Sequence, residues 1–466
     1  MKYTPTIGIE CHVQLRTKTK LFSAVDNDAR EAKPNTLISH IDIGLPGALP
    51  VLNKAAIELS ARAAFALNTV PQKHSYFERK HYFYPDLPMG YQITQYQSSI
   101  IVGGYVEINQ AGATKKIGVE RANLEADAGK NTHPAGADYS LVDFNRAGTP
   151  LLEIVSKPEL HSAAEAKAYA RELWLTMKYA GVTEGDLYHG HVRFDVNTSL
   201  SSESGKLGTR SEIKNLNSFR SVEAAVEYEI KRQTELLEKG EKVVQETRGW
   251  DEAKQETVSQ RGKEEAHDYR YMPEPDVPPL ELDDEFIKEQ RAKMPQLPGD
   301  IRRILNKLSI SADVIEDILD DQAACKKVLQ AADTRAAPET IRRLAFDSLE
   351  EPDTLKVDLA EHIKVVEMLN AKEISSNTAK EILLTKAKNP AKSVEELSEG
   401  KKQVSDEAEI DKIVAEVLSE NAQAAEDVKN GEVKAISFLV GQVMAKSKGK
   451  ANPSVAQQLI KKQLGV

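Results

Sequence analysis

The sequence predicts an α+β protein: an N-terminal domain with a mainly antiparallel sheet, an all-helical domain behind it, and a small helical C-terminal tail. Three observations carry this. Up to about residue 290, short β-branched runs alternate with Gly/Pro turns. After Pro298 only helix-period apolar patterns remain, and the charged, linker-like stretch Glu395–Asp406 precedes a last helical block. A chain of 466 residues also exceeds one ordinary core, so two to four domains are expected. The boundaries read as 1–292, 299–404 and 407–466.

An apolar fraction of 40% with 29% charged residues is that of a soluble globular protein. No run approaches the ~20 apolar residues of a membrane span, and the N-terminus lacks the order of a secretory signal. Two cysteines, Cys11 and Cys325, exclude a disulfide framework and a thiolate zinc knuckle. A cytoplasmic protein is expected. The net charge of -10 argues against wholesale coating of nucleic acid, though not against a local basic patch. Residues 429–466 form such a patch, with seven lysines against one glutamate.

Taken in order, the first strand signal is Ile7-Gly8-Ile9-Glu10-Cys11-His12-Val13-Gln14-Leu15. Strand alternation puts Glu10 and His12 on one face, with Gly8 leaving space beside them. A carboxylate beside an imidazole is half of a divalent-metal site, or a surface pair on an edge strand. Gly44–Asn53 is a Gly/Pro-rich turn into an alanine-rich helix whose apolar stripe reads as core. Phe77–Tyr96 is aromatic and cationic around Pro85-Asp86-Leu87-Pro88, an accessible loop suited to stacking and phosphate contact or a rigid turn without a ligand.

Strands are expected over 100–108 and 116–121, leading into Asn123–Lys130. If the second continues, Glu125 and Asp127 share a face, and oxygen ligands without a thiolate suit Mg²⁺. Ser162–Tyr179 reads as an amphipathic helix. In His191–Leu200, Arg193, Asp195 and Asn197 alternate with Val192, Phe194 and Val196, an exposed face or a binding floor. Arg210, Glu212, Lys214, Asn215, Asn217 and Arg220 then crowd together ahead of a helix over 221–239, with Ser221 as its N-cap. Glu246–Leu280 is polar and aromatic, and its prolines 273–279 form an extended exit from the first domain. No Walker or Rossmann glycine pattern occurs.

The blocks GIECHVQL, GLPGALPVLN, FYPDLPMGYQITQY, DFNRAGTPLLEIV, GTRSEIKNLNSFRSVEAAV, the stretch 246–280 and AISFLVGQVMAKSKGKANP follow in that order. Together they resemble the B subunits of aspartyl-tRNA(Asn)/glutamyl-tRNA(Gln) amidotransferases, nearly end to end. The resemblance implies a cradle-like N-terminal domain and a heterotrimer with a glutaminase A subunit and a small C subunit. It implies an ATP- and Mg²⁺-dependent ligase. The side-chain carboxylate of tRNA-bound Glu or Asp is phosphorylated, and ammonia channelled from the A subunit then displaces phosphate.

On this reading Glu10, His12 and Glu125 are the catalytic metal ligands, with Glu212 next and Asp195 contributing. Lys80, Arg146, Arg210 and Lys214 would hold triphosphate or the tRNA 3′ end. Tyr82, Tyr84, Asp86 and Asn215 would order adenine, ribose or the terminal adenosine. In the tail, Lys434, Lys446, Lys448 and Lys450 would meet tRNA phosphates, or form a solvated helix face. Three departures stand out. Ser23, Ser39 and Asp42 lie where many members carry a four-Cys zinc knuckle, so no zinc is expected. Met89 replaces a usual Lys, and Asn123 and Ala126 replace a usual His and Glu. These last two keep alive a non-catalytic tRNA-binding or assembly subunit; a weaker rival is a metal-dependent nucleotide hydrolase.

Overall fold

A computed structural model describes residues 3–465 apart from 111, 135, 204, 263–267, 400, 402–406, 430–431, 448–450 and 452. The chain divides into two compact units, Met1–Pro298 and Gly299–Val466.

The first unit is built around β1 (Thr4–Gln14), whose Ile7, Ile9, Cys11 and Val13 are buried on one face. Helix α1 (Lys54–Ala66) begins where the Asn53 side chain accepts from the Ala55 amide. Short strands β2 (His74–Ser75), β3 (Glu78–His81), β4 (Tyr91–Thr94) and β5 (Ile101–Val102) follow. Strands β6 (Tyr105–Gln110) and β7 (Ala113–Ala126) form a hairpin, so the second strand starts earlier and runs further than its sequence suggested. A small ribbon, β8 (Lys130–Thr132) and β9 (Leu141–Asp143), leads to β10 (Pro150–Ser156) and α2 (Ala163–Tyr179). Then come β11 (Val192–Ser201), β12 (Ser211–Leu216), α3 (Phe219–Glu238), β13 (Glu246–Asp251) and β14 (Glu256–Gly262).

One nine-stranded sheet runs in the order β14-β13-β12-β11-β1-β10-β7-β5, with β6 also paired to β7. Every pairing is antiparallel except β12 with β13, which are separated by α3 and run parallel. The back face is apolar: Val192, Phe194 and Val196 of β11 and Leu152 and Ile154 of β10 join the inward residues of β1. Helices α2 and α3 cover it, α2 through Tyr169, Leu173, Trp174 and Met177. Burying side chains of this size is worth roughly 1.5–3 kcal/mol each, which fixes which face of β1 looks inward. The opposite face, carrying Glu10 and His12, is left for chemistry.

Two expectations need correction. Helix α3 starts at Phe219, and its N-cap is Ser218, whose oxygen accepts from the Ser221 amide at 3.0 Å. Ser221 lies inside the first turn and donates to Glu252. The stretch after Glu246 is not merely an exit. It supplies β13 and β14, then β15 (Met272–Pro273) pairs with β3 and β16 (Leu280–Glu281) pairs with β2. The last helix of this unit, α4 (Asp284–Ala292), packs on α1.

The second unit is helical. Its helices include Pro298–Asn306, Ala312–Asp320, Gln322–Ala332 and Pro338–Glu350, in keeping with the helix-period patterns that follow Pro298 in the sequence. One hydrophobic core gathers Val357, Val365, Ile382 and Leu397, and another gathers Ile410, Val414, Leu439, Val443 and Ile460. Within the stretch read as a linker, Val394–Ser398 is a helix with a Ser393/Glu396 capping box. Residues 402–406, where the tail boundary was expected, lie outside the described residues. No described helix is long and apolar enough to cross a membrane.

Candidate functional site

Strand register assembles the site. On the front face Glu10 stands opposite Asp195 of β11, while His12 stands opposite Arg193 of β11 and Glu153 of β10. Glu153 in turn stands opposite Asn123 of β7, and Glu125 of β7 is its diagonal neighbour. Neighbouring strands lie about 4.8 Å apart, so four strands bring four acids and an imidazole into one patch.

Glu10 Oε1 is 3.4 Å from His12 Nε2. One ligand atom from each of Glu10, His12 and Asp195 falls within 4.8 Å of the others, the arrangement a metal ion needs. Around them the polar groups are held from several sides. Asn123 Nδ2 donates to Glu153 at 3.0 Å, while its own oxygen accepts from Ser99. Thr94 Oγ1, from β4, donates to Glu125 at 2.8 Å. Asp127, just past the end of β7, accepts from Arg193 at 2.9 Å. Lys214 Nζ lies 3.3 Å from Asp195 and 3.2 Å from Glu212.

These neighbours set the charges. Burial, then the proximity of Glu153 and Asp195, pushes the Glu10 carboxyl up to about 9. Burial, then Glu153, pushes Glu125 up to about 8. Burial also holds His12 below the ordinary imidazole range. Asp127 is buried as well, but Arg193 and Arg146 outweigh that and hold it low. For Lys214 the desolvation is outweighed by Asp195 and Glu212, which keep the ammonium charged. The patch therefore carries more carboxylates than its own cations neutralise, the usual state of a site built for a cation.

The predicted residues do not all meet at one point. Glu10, His12 and Asp195 come together, and Glu125 lies one strand past Glu153. Glu212 sits on β12, accepting from Thr247 at 2.9 Å and facing Lys214, apart from the three-ligand group. Lys80 of β3 lies over the Tyr269 and Tyr82 rings, 4.8 and 5.8 Å from their centroids, and its charge acts on Glu125. Tyr82 is pushed up by burial and by Glu125, which places it beside that acid. Asp86 is raised by burial, and its carbonyl accepts from the Gly129 amide. Tyr84 is exposed on the same loop.

Arg146 spends its guanidinium on the carbonyls of Ala128 and Gly129, at 3.0 and 2.6 Å, and lies 3.5 Å from Asp127. It buttresses the segment that carries Asp127. Arg210 lines a cleft of about 440 Å³ whose floor includes Glu10, Gly8 and Asn197. The side chain of Asn215 lies outside the described residues, as do Lys448 and Lys450. Of the other tail lysines, Lys434 is exposed, and Lys446 is ion-paired to Glu416 and Glu420 at 3.0 and 2.6 Å.

Sequence reasoning missed Glu153, the acid at the middle of the patch, and did not commit to Arg193 or Asp127. A signal for Glu153 existed: it is the one charged residue in the apolar strand Pro150–Ser156, and charged side chains are seldom placed there without a partner. Where a zinc knuckle was judged absent, Asp42 accepts from Ser23 at 2.9 Å and from the Ser39 hydroxyl and amide at 2.8 Å. Fully buried Lys20 lies 3.7 Å from it. Gly148, at φ +84°, passes so close that a Cβ would sit 2.8 Å from Asp42 Oδ1.

Two family models match the chain, one described as "GatB/GatE catalytic domain" over residues 5–288 and one as "GatB domain" over residues 313–464. Proteins named as B subunits of aspartyl/glutamyl-tRNA(Asn/Gln) amidotransferases align along the whole length. That of Thermodesulfovibrio yellowstonii is 41% identical over 477 residues, covering 100% of both chains. The Nitratidesulfovibrio vulgaris protein is 41% identical over 477 residues, covering 99% of both. The Thermotoga maritima protein is 41% identical over 482 residues, covering 100% of this chain and 99% of its own.

Proposed function

Because this chain belongs to the GatB/GatE family of tRNA-amidotransferase B subunits, we propose that its acid patch is the kinase centre of the tRNA-dependent reaction. The chain is the B subunit of an ATP-dependent carbon–nitrogen ligase that works in a complex with A and C subunits on tRNA. A carboxylate oxygen of the tRNA-bound Glu or Asp side chain attacks the γ-phosphorus of ATP, and ADP leaves. Ammonia from the A subunit then attacks the acyl carbon, phosphate departs, and the nitrogen gives up a proton to leave the amide.

The observation that supports this most is the grouping of Glu10, His12 and Asp195 on one sheet face with Glu153 beside them. An oxygen-rich donor set whose crowded acids would give up their protons to an entering cation fits Mg²⁺. Glu10, His12 and Asp195 would hold it, with Glu125 and Glu153 adjoining; Glu212 is better read as a partner of Lys214. When bound, Mg²⁺ neutralises the charge developing on the transferring phosphoryl group. This chain's own groups do the rest. Lys214 holds Asp195 in place through the 3.3 Å ion pair. Arg193 and Arg146 keep Asp127 ionised at the edge of the patch, where they balance the phosphates that enter it. Asn123 supplies the donor that holds Glu153, so its presence in place of histidine is compatible with a working centre.

The bonded cluster of Ser23, Ser39, Asp42 and Lys20 supports the reading that this segment is held without zinc. The helical tail, residues 407–466, would meet tRNA through exposed lysines such as Lys434. The test is ATP- and glutamine-dependent amidation of Glu-tRNA and Asp-tRNA by the reconstituted heterotrimer, wild type beside Glu10→Gln and Glu125→Gln. We expect losses of roughly 10–100-fold or more for each variant. Wild-type rates in both would reject the assignment.

A further inference from the structure

Between β4 and β5 the chain turns through residues 95–100, and Ser99 in that turn is buried, as is Asn123 on β7. Ser99 Oγ donates to Asn123 Oδ1 at 2.6 Å, and Asn123 Nδ2 donates to Glu153 at 3.0 Å. Glu153 stands opposite His12, and its charge acts on Glu10. One line of side chains therefore runs from the turn to two of the residues that would hold the metal.

The turn is fixed on both sides of Ser99. Gln95 Oε1 accepts from the amides of Ile100 and Leu124, each at 3.0 Å, which ties the turn to the strand residue next to Asn123. Buried Glu78 accepts from the amides of Tyr96 and Gln97, each at 2.8 Å. The Gln72 amide donates to the Ile100 carbonyl at 2.8 Å. The Ser99 hydroxyl is thus mounted independently of the side chain it meets.

An asparagine amide carries a donating end and an accepting end on one rigid plane, whereas a carboxylate only accepts. Glu153 therefore selects the donating end of Asn123, and the accepting end must find its partner on the far side. Ser99 supplies it. With both ends bonded, the amide is held against rotation and its N–H stays aimed at Glu153. Without the hydroxyl, a buried carbonyl oxygen loses its donor and one bond alone orients the amide. We infer that Ser99 is a positioning residue of the Mg²⁺ centre, acting through Asn123 to fix the Glu153 carboxylate beside Glu10 and His12. The inference rests on the kinase-centre reading above.

The experiment measures Mg²⁺ affinity by calorimetric titration of the assembled heterotrimer, for wild type, Ser99→Ala, Asn123→Leu and the double variant. Asn123→Leu should weaken Mg²⁺ binding roughly tenfold, the lower end for residues that orient a metal's ligands, and Ser99→Ala roughly threefold. Because Ser99 acts through Asn123, the double variant should bind no more weakly than Asn123→Leu alone. Asn123→Ala takes the place of the leucine variant in this cycle if that one does not assemble. Raised Mg²⁺ should restore amidation by Ser99→Ala, so that the Mg²⁺ needed for half-maximal rate shifts and the maximal rate does not. A serine that merely supports the fold would lower the thermal midpoint measured with EDTA and leave Mg²⁺ affinity as in the wild type. That result overturns the inference, and so does a double variant whose loss is the product of the two single losses. Glu10→Gln is titrated in parallel. Unchanged Mg²⁺ affinity in Glu10→Gln rejects the kinase-centre reading, whereas a loss there beside unchanged affinity in Ser99→Ala rejects the positioning role alone.

Discussion

Glu153→Gln is the sharpest perturbation of the acid patch, because it removes one charge and almost no volume. Glu153 stands directly across from His12, and residues so paired have Cβ atoms roughly 5 Å apart. At that distance a unit charge contributes about 3 kcal/mol to a neighbouring unit cation at an effective dielectric constant of 20. Much of this is offset by water and by rearrangement of the other acids. Groups adjoining a metal's ligands typically change affinity 10- to 100-fold. We therefore expect Mg²⁺ to bind at least tenfold more weakly, read by calorimetric titration of the heterotrimer. Without metal, His12 and the Asn123 donor outweigh burial and hold the Glu153 carboxyl below its ordinary range, so its charge also favours the fold and the thermal midpoint measured with EDTA should fall in the variant. Added Mg²⁺ should then raise that midpoint less than it does in the wild type. Unchanged Mg²⁺ affinity, or a metal-free midpoint above that of the wild type, would refute the reasoning.

Three further outcomes are expected. Glu10 and Glu125, raised to about 9 and about 8, bind protons more tightly in the folded chain than in the unfolded one. The stability these two acids lend the metal-free fold is therefore full below about pH 4.5 and lost as pH rises toward 9. His12, His191 and His362, held low by burial, act the opposite way below about pH 6.5; a thermal midpoint that does not fall between pH 7 and 9 would count against the expectation. Asp42→Ala leaves Lys20 buried without its carboxylate, which should cost roughly 3–5 kcal/mol and loosen residues 17–45 to proteolysis; a loss under about 1 kcal/mol would show the cluster to be incidental. Deleting residues 407–466 should weaken tRNA binding, and flatten its salt dependence, while sparing glutaminase activity in the complex; unchanged tRNA affinity would remove the tail from the account.

The parts legible in the sequence were those governed by local periodicity. Alternation alone put Glu10 with His12, and Arg193 with Asp195 and Asn197, because the partner faces are continuous apolar runs. The α+β order was equally plain. Pairing between distant strands was not, since nothing in residues 4–14 says that β10 and β11 flank them. Glu153 was hidden for that reason: its strand is apolar on both sides of it, and its polarity makes sense only beside His12 and Asn123. Strand β14 at the sheet edge and β13 beside it carry few buried residues, and their polar sequences show no alternation that marks a strand. The cap of α3 was misplaced by one turn because Ser218 and Ser221 are both competent, and the choice falls to Ser221, which turns inward to Glu252. For Arg146 and Lys446 the cation was visible but not the carbonyls and acids that occupy it.

The donors of the patch come from β11, β1, β10 and β7, lying side by side in one sheet. Gaining or losing a single residue within any of these strands would turn its acids toward α2 and α3 and bring isoleucine, valine or cysteine into the bowl. Such a site can accept a changed side chain at one position but not a shift of frame, so an added or deleted residue is tolerable only in the connections between these four strands.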